Sequence, residues 1–385
     1  MTSEMLTAEE MTAQSLSRGA AGIALLHIER ALSGTEEWRN IHGYLRQAAA
    51  GRVIAAEHAS LYYGAPAIAF VLHAASADGE HRYPSTAAKL DELVLGIARR
   101  RLATATARMD GGAPATFQEY DLFSGLIGIG VLLLKRMPQS DVLAQILRYL
   151  VRLTRPRVED GLEIPGWWVP HDPDPLLPTP GGHANLGMAH GAAGLLAVLA
   201  LAARRGCVVL GQREAITFLM LWFNRWRQFA GDGPWWPQWL TQEDLRSGRP
   251  AQSGPGRPSW CYGTPGITRA LQLGAIALGD HERQRTAEED MAACLTAGQL
   301  ARLSEAGLCH GLAGVYQTAS RAAQDADSEA VTACLPELAS LLSEQAAALQ
   351  VEGAGLLTGE AGVRLAMEPT HTPPRSGWDS CLLIT

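Results

Sequence analysis

The chain has 385 residues, of which 47% are hydrophobic and 18% charged, so the composition excludes a disordered protein and allows a large buried core. Its 32 Lys and Arg against 39 Asp and Glu give a formal charge of −7, which argues against a nucleic-acid binder with a basic surface. No apolar run reaches the roughly 18 residues of a membrane span, and the N-terminus is acidic where a signal peptide is basic, so we expect a cytoplasmic protein with reduced cysteines.

A short glycine motif, Gly-x-x-Gly, recurs seven times and divides the chain into repeats; only the second copy lacks its closing glycine. The copies begin at Gly19, Gly64, Gly125, Gly191, Gly263, Gly311 and Gly359, with separations of 45, 61, 66, 72, 48 and 48 residues. The first four copies open apolar stretches with helical spacing, and about 48 residues hold two helices and two short loops. Seven helical hairpins predict one all-α domain over residues 1–385, an α/α toroid, because ring closure covers the apolar faces that an open stack exposes.

Two segments rich in proline, glycine and tryptophan interrupt the third and fourth repeats, at residues 164–182 and 231–258. Proline at this density is incompatible with regular helix, so both segments are expected to be long loops. Eight of the ten tryptophans lie between Trp167 and Trp260. Two interpretations stay open: the indoles pack the loops together, or they line an apolar groove for an extended ligand.

The residues just before each motif are expected to lie at equivalent places on one rim of the ring. Two positions before the glycine, the fifth and sixth copies carry Cys261 and Cys309, and His310 follows directly. Consecutive hairpins are neighbours, so the sequence predicts two thiols and an imidazole in one place. These ligand types suit one zinc ion per chain, and three protein ligands leave the fourth position open, as in a catalytic site. A thiolate-rich centre favours activation of a substrate thiol over activation of water.

Four further rim residues are candidates for chemistry, although each is also interpretable as a polar loop residue. His190 directly precedes the fourth glycine and suits a general acid or base. Asp121 could orient a histidine or hold a substrate amide, and Tyr262 could donate a hydrogen bond. Arg257 could neutralise a developing enolate. The remaining cysteines align with nothing and are expected to be structural; they are Cys207, Cys294, Cys334 and Cys381.

Two of these motifs resemble the zinc motifs of the lanthipeptide synthetase C-like family, the lantibiotic cyclases. They are Ser259-Trp-Cys-Tyr-Gly-Thr-Pro-Gly266 and Cys309-His-Gly-Leu-Ala-Gly314, and the resemblance continues at residues 120–125, 186–194 and 355–362 and at Trp378-Asp-Ser-Cys-Leu-Leu. The resemblance implies an α/α toroid of seven inner and seven outer helices. The first three repeats are the candidate host of the small subdomain that some bacterial members carry. The implied activity is the addition of peptide cysteine thiols to dehydroalanine or dehydrobutyrine, which forms lanthionine or methyllanthionine rings.

The same resemblance assigns roles to residues. It implies Cys261, Cys309 and His310 as zinc ligands and His190 as the acid–base residue. Asp121, Arg257, Trp260 and Tyr262 match further active-site positions, with Trp260 expected to contact substrate.

The resemblance also implies partners. The chain is too short for an added dehydratase domain, which implies a stand-alone cyclase acting on a dehydrated precursor peptide with its leader. The expected partners are a separate dehydratase and an exporter, whose complex would attach the protein to the membrane without insertion. No nucleic acid is expected.

Two other functions stay open from the sequence, and a third is disfavoured. A family relative could add glutathione or another thiol to dehydroamino acids. A zinc-stabilised scaffold could bind peptides without catalysis, although His190 and an open metal position argue against it. A carbohydrate-active toroid would need paired carboxylates on the rim, where only Asp121 closely precedes a motif.

Overall fold

The computed structural model describes residues 7–173, 176–231, 233–346, 351–368 and 373–385. In chain order its helices are α1 (Ala8–Ala13), α2 (Ala20–Leu32), α3 (Trp38–Ala48), α4 (Ala65–Ala74), α5 (Pro84–Asp110), α6 (Phe117–Tyr120), α7 (Leu126–Arg136), α8 (Asp141–Leu153), α9 (Ala192–Arg204), α10 (Gln212–Trp226), α11 (Gln242–Ser247), α12 (Thr264–Leu278), α13 (His281–Ala293), α14 (Ala297–Leu300), α15 (Leu312–Gln324), α16 (Ala330–Gln345) and α17 (Glu360–Met367). A 3-10 helix, Trp378–Leu382, follows α17.

Seven helices form a closed inner ring: α2, α4, α7, α9, α12, α15 and α17. Each begins directly after the first glycine of a motif and packs against the next, and α17 packs against α2. The inner helices are apolar on nearly all sides because neighbours cover both faces; α9 buries 11 of its 13 residues.

Long outer helices pack against the inner ring from outside: α3, α5, α8, α10, α13 and α16. The short α1 precedes α2 and contacts both α2 and α3, which is the place of the seventh outer helix in the described chain. The predicted α/α toroid is therefore confirmed. The described residues of the first three repeats hold ring helices, the short α6, strands and loops, and no inserted subdomain is present there.

In the described part of the chain, six short strands form three antiparallel pairs within or beside the two interrupting segments. They are β1 (Arg157–Glu159), β2 (Leu162–Ile164), β3 (Ala184–Asn185), β4 (Gln228–Ala230), β5 (Gly233–Trp235) and β6 (Trp239–Leu240). Strand β1 pairs with β2, and β4 with β5; β3 pairs with β6 and so ties the two long loops together.

The tryptophans within, between and directly after the two interrupting segments pack into the protein. Seven of the eight between positions 167 and 260 are buried: Trp167, Trp168, Trp222, Trp226, Trp235, Trp236 and Trp260. Only Trp239 among them is partly exposed. This burial supports the interpretation that the indoles pack the loops against the protein.

Backbone hydrogen bonds join the seven loops of one rim in an open series, which we call the rim ring. The amide of Ala189 donates to the carbonyl of Cys261 at 3.3 Å, Cys261 donates to Cys309 at 3.2 Å, and Cys309 donates to Leu357 at 2.9 Å. Leu357 in turn donates to Ser17 at 3.1 Å. Two further bonds extend this series: the amide of Leu16 donates to the carbonyl of Tyr62, and the amide of Leu122 donates to the carbonyl of Ala189. The rim ring holds neighbouring loops at backbone contact distance.

The C-terminal residues 376–385, here called the C-terminal plug, run inside the inner ring. Residues from Trp378 to Ile384 are buried, and their carbonyls accept hydrogen bonds from several repeats. Tyr62 donates to the carbonyl of Cys381 at 2.8 Å, and the indole of Trp260 donates to Leu382 at 2.9 Å. The plug therefore closes the centre of the toroid and packs directly beneath the rim.

No helix in the described part of the chain is long and apolar enough to cross a lipid bilayer. The six cysteines are all unpaired.

Candidate metal centre and acid–base pair

Cys261, Cys309 and His310 meet on the rim, where the rim ring joins the fifth and sixth loops. One ligand atom from each residue lies within 4.8 Å of the others. Cys261 is buried, whereas Cys309 and His310 are partly exposed. Around one tetrahedral zinc ion, sulfur and nitrogen ligands stand roughly 3.5–3.8 Å apart, given Zn–S near 2.3 Å and Zn–N near 2.0–2.1 Å. The three side chains fit such an ion.

A hydrogen bond links the two thiols. A hydrogen bond from Cys309, with help from His310 and Ser259, lowers the pKa of the Cys261 thiol well below its usual value. The same bond to Cys261, together with burial, raises the pKa of the Cys309 thiol. The hydrogen bond with Cys261 also raises the pKa of His310. The cluster therefore favours a thiolate at Cys261, the form that a metal ion binds.

Glu305 completes the surroundings of His310. Its Oε2 lies 2.6 Å from His310 Nε2, and its Oε1 lies 3.5 Å from the Arg257 guanidinium. Glu305 is not among the site residues predicted from the sequence. The signal that finds it is the repeat alignment: Glu305 and Arg257 both stand six positions before the first glycine of their motifs.

His190 and Asp121 form an ion-pair geometry on the same rim. His190 Nδ1 lies 2.5 Å from Asp121 Oδ2, and Asp121 Oδ1 accepts a 2.6 Å hydrogen bond from the Ser124 amide. Asp121 is 1% exposed, whereas 27% of the His190 side chain is exposed. The buried carboxylate therefore fixes the imidazole through Nδ1 and leaves Nε2 for an outside partner.

Aromatic rings surround the His190 imidazole. Phe117 stacks on it at a centroid distance of 5.0 Å and 25°, Phe123 lies at 5.2 Å and Tyr262 at 6.0 Å. Burial raises the pKa of Tyr262 well above its usual value, so its phenol stays protonated and can donate. Phe117 is a second residue that the sequence analysis missed. It belongs to α6, which lies outside the glycine motif.

The sequence model for lanthionine synthetase C-like proteins matches residues 10–383, almost the whole chain. The chain belongs to the lanthionine synthetase C-like family. It is similar to nisin biosynthesis protein NisC of Lactococcus lactis subsp. lactis, with 25% identity over 279 residues that cover 68% of this chain and 61% of NisC. The solved structure of nisin cyclase superposes with a TM-score of 0.81 at 21% identity, covering 97% of this chain and 93% of that one, which shows a common fold.

In this lanthionine synthetase C-like protein, most of the predicted site residues fall into two groups. Cys261, Cys309 and His310 form the cluster, and Asp121 pairs with His190. Tyr262 follows Cys261 and faces His190, which connects the two groups.

Arg257 and Trp260 each have a partner within the protein. Arg257 contacts Glu305, so its charge faces a carboxylate. Trp260 is 0% exposed, and its indole N–H donates a hydrogen bond to the carbonyl of Leu382. The side chain packs under the rim, against the C-terminal plug, and its expected contact with substrate stays a prediction.

Proposed function

We propose that this protein is a zinc-dependent lanthipeptide cyclase, which closes thioether rings in a dehydrated peptide by intramolecular Michael addition. The observation that carries the proposal is the juxtaposition on one rim of a Cys-Cys-His cluster and a carboxylate-oriented histidine. The family membership and the similarity to NisC support the same reaction.

Cys261, Cys309 and His310 would hold the zinc ion, with one coordination position left for the sulfur of a peptide cysteine. A zinc ion bound there supplies a thiophilic Lewis acid that keeps a substrate thiol deprotonated near neutral pH. Two thiolate ligands keep the centre electron-rich, which preserves the nucleophilicity of the incoming sulfur.

His190 would move the proton that the addition requires. The sulfur forms a bond to the β-carbon of dehydroalanine or dehydrobutyrine, and the π electrons of the carbon–carbon double bond pass into an enolate. The α-carbon then takes a proton, so the thiol proton is formally transferred to carbon and the mass is unchanged. His190 Nε2 would either accept the thiol proton or protonate the enolate, while Asp121 holds Nδ1.

Tyr262 and Arg257 would assist at the enolate stage. The Tyr262 phenol is protonated and lies beside both groups, so it can donate to the substrate carbonyl. Arg257, 40% exposed, carries a positive charge close to the cluster and would stabilise the enolate oxygen, with Glu305 limiting that charge.

The substrate would be a ribosomally made precursor that carries its leader peptide. The reaction consumes dehydroamino acids, which form from Ser and Thr by loss of water, so a dehydration step would come first. We propose a separate dehydratase and an exporter as partners.

The test is incubation of the zinc-loaded protein with a peptide that has one dehydroalanine and one cysteine. Ring closure is expected to remove the thiol from reaction with an alkylating probe without changing the peptide mass, faster than in a sample without protein. The His190→Ala variant is the matched control for slow uncatalysed closure.

The same assay separates the alternatives. With glutathione present, a mass increase of one glutathione on the dehydroalanine would favour the thiol-adding relative. A peptide that binds but keeps its free thiol at the uncatalysed rate would favour the non-catalytic scaffold and overturn the proposal.

A further inference from the structure

The rim cluster has a partner that its three ligand residues do not include. His310 uses Nε2 for Glu305, with Nε2 and Oε2 2.6 Å apart. A carboxylate accepts, so Nε2 carries a hydrogen, and in the neutral ring that binds a metal ion Nδ1 is the nitrogen with the free lone pair. Nδ1 is then the nitrogen available to the two thiols, which lie within 4.8 Å of the His310 ligand atom.

Glu305 is itself held in place across two repeats. Its second oxygen lies 3.5 Å from Arg257, which belongs to the loop before Cys261, whereas Glu305 belongs to the loop before Cys309. Both side chains stand six positions before their motif glycines. The Arg257–Glu305 contact is therefore a second link between the two loops that carry the ligands, in addition to the backbone hydrogen bond between Cys261 and Cys309.

Glu305 stands behind the cluster. The group whose ligand atoms converge consists of Cys261, Cys309 and His310 and does not include Glu305. A carboxylate that accepts from the far nitrogen of a ligating histidine fixes the ring orientation and makes the near nitrogen a better donor.

We propose that Glu305 is the positioning residue of the metal centre: it selects Nδ1 of His310 as the ligand and sets the affinity for zinc, with Arg257 holding it in place. The inference rests on the proposed metal centre and adds to it a residue outside the ligand set. Removing a carboxylate of this kind weakens metal binding by about 10–100-fold in other sites.

The experiment is a measurement of zinc affinity in the full-length protein by competition with chromophoric chelators of graded strength. Glu305→Ala is expected to bind zinc about 10–100-fold more weakly than the wild type. Glu305→Gln keeps an acceptor oxygen for Nε2, so the zinc affinity of this variant is expected to lie between those of the wild type and Glu305→Ala. Because Glu305 acts through His310, adding Glu305→Ala to His310→Ala is expected to cause no further loss.

The chain offers a matched control in a second Glu–His pair. Glu36 lies 2.8 Å from His27 Nδ1 between α2 and α3, outside the metal cluster, so Glu36→Ala is expected to leave the affinity unchanged. Circular dichroism shows whether each variant is folded.

The outcomes separate the two proposals. A wild-type protein that binds no zinc would overturn the metal centre and the role of Glu305 together. A wild type that binds zinc, with Glu305→Ala equally tight, would overturn only the role of Glu305. Equal losses from Glu305→Ala with and without His310 would show an effect that does not pass through the imidazole, which also contradicts the proposal.

Discussion

Two kinds of side chain divide the work on the rim. Sulfur and imidazole from adjacent loops offer soft ligands to a metal ion, and a buried carboxylate orients a separate, partly exposed imidazole. The first group suits the binding of a thiol, and the second suits proton transfer.

Cys261 is expected to be indispensable for the metal. In Cys261→Ala only Cys309 and His310 remain as protein ligands, so zinc content is expected to fall from about one per chain to near zero. Metal analysis by mass spectrometry after gel filtration measures this. Cys207→Ala is the matched control, because that thiol bonds to the Pro138 carbonyl and lies outside the cluster. Full zinc in Cys261→Ala would contradict the ligand assignment.

His190→Ala is expected to keep its zinc and to close rings about 10²–10⁴-fold more slowly, the usual contribution of general acid–base catalysis.

Asp121→Asn tests the orientation of that imidazole. The Ser124 amide occupies Oδ1 and would take the carbonyl oxygen of the new side chain. The amide nitrogen would then donate to His190 Nδ1, which places the imidazole proton on Nε2 and removes its function as a base. Ring closure is expected to slow with zinc content unchanged; a variant that cyclises at the wild-type rate would rule out an orienting role for Asp121.

At this scale the sequence predicts side chains that share the glycine motif and misses those that depend on packing. Alignment of the motifs places Cys261 beside Cys309, as the structure has them. Phe117 could not be found this way, because its stacking on His190 comes from the fold of α6. The burial of Trp260 depends on a carbonyl 122 positions away in the chain.

The rim loops are shaped by glycines that leave room for backbone. A Cβ on Gly263 would stand 2.1 Å from the amide nitrogen of Ser259, at the base of the loop that carries Cys261. The constraint is space, since the φ of Gly263 is −91°.

Gly263→Ala is therefore expected to displace this loop. A loss of about 1–3 kcal/mol in the free energy of unfolding, as for overpacking, is expected together with weaker zinc binding. Urea denaturation and chelator competition measure the two effects. Gly298→Ala in α14 is the control, because a Cβ there meets nothing within 4 Å. Equal stability of the two variants would contradict this account.

Helix starts were predictable for a local reason: every inner helix begins directly after a motif glycine. The path of the long loops was not, because composition does not specify what an indole packs against. The β3–β6 pair joins segments far apart in sequence, and no short-range pattern announces it.

The C-terminal plug is joined to the inner ring by a buried ion pair. Asp379 is fully buried and makes a bidentate pair with Arg321 of α15, with one bond of 2.9 Å, and it also accepts from Gln317 at 2.9 Å. Asp379→Ala leaves a buried guanidinium without its counterion.

This change is expected to lower the free energy of unfolding by about 3–5 kcal/mol. Urea denaturation followed by circular dichroism measures it. Glu360→Ala removes the exposed pair with Arg364 and is expected to cost less than about 1 kcal/mol. Similar losses in the two variants would show that the plug contributes little.

The closed ring follows from seven similar units, each with an apolar face to cover, and so it could be predicted. The plug breaks the repeat and therefore could not. The extent of a single domain over residues 1–385 stays a prediction.

The position of the plug has a consequence for biogenesis. Trp260 gains its hydrogen-bond acceptor only when Leu382, 122 residues later, has been synthesised and threaded into the ring. While the chain is still on the ribosome, the C-terminal plug that packs beneath Trp260 and Cys261 is not yet in place. A zinc ion held as proposed would therefore bind after translation, once the chain from Cys261 to the C-terminal plug has folded.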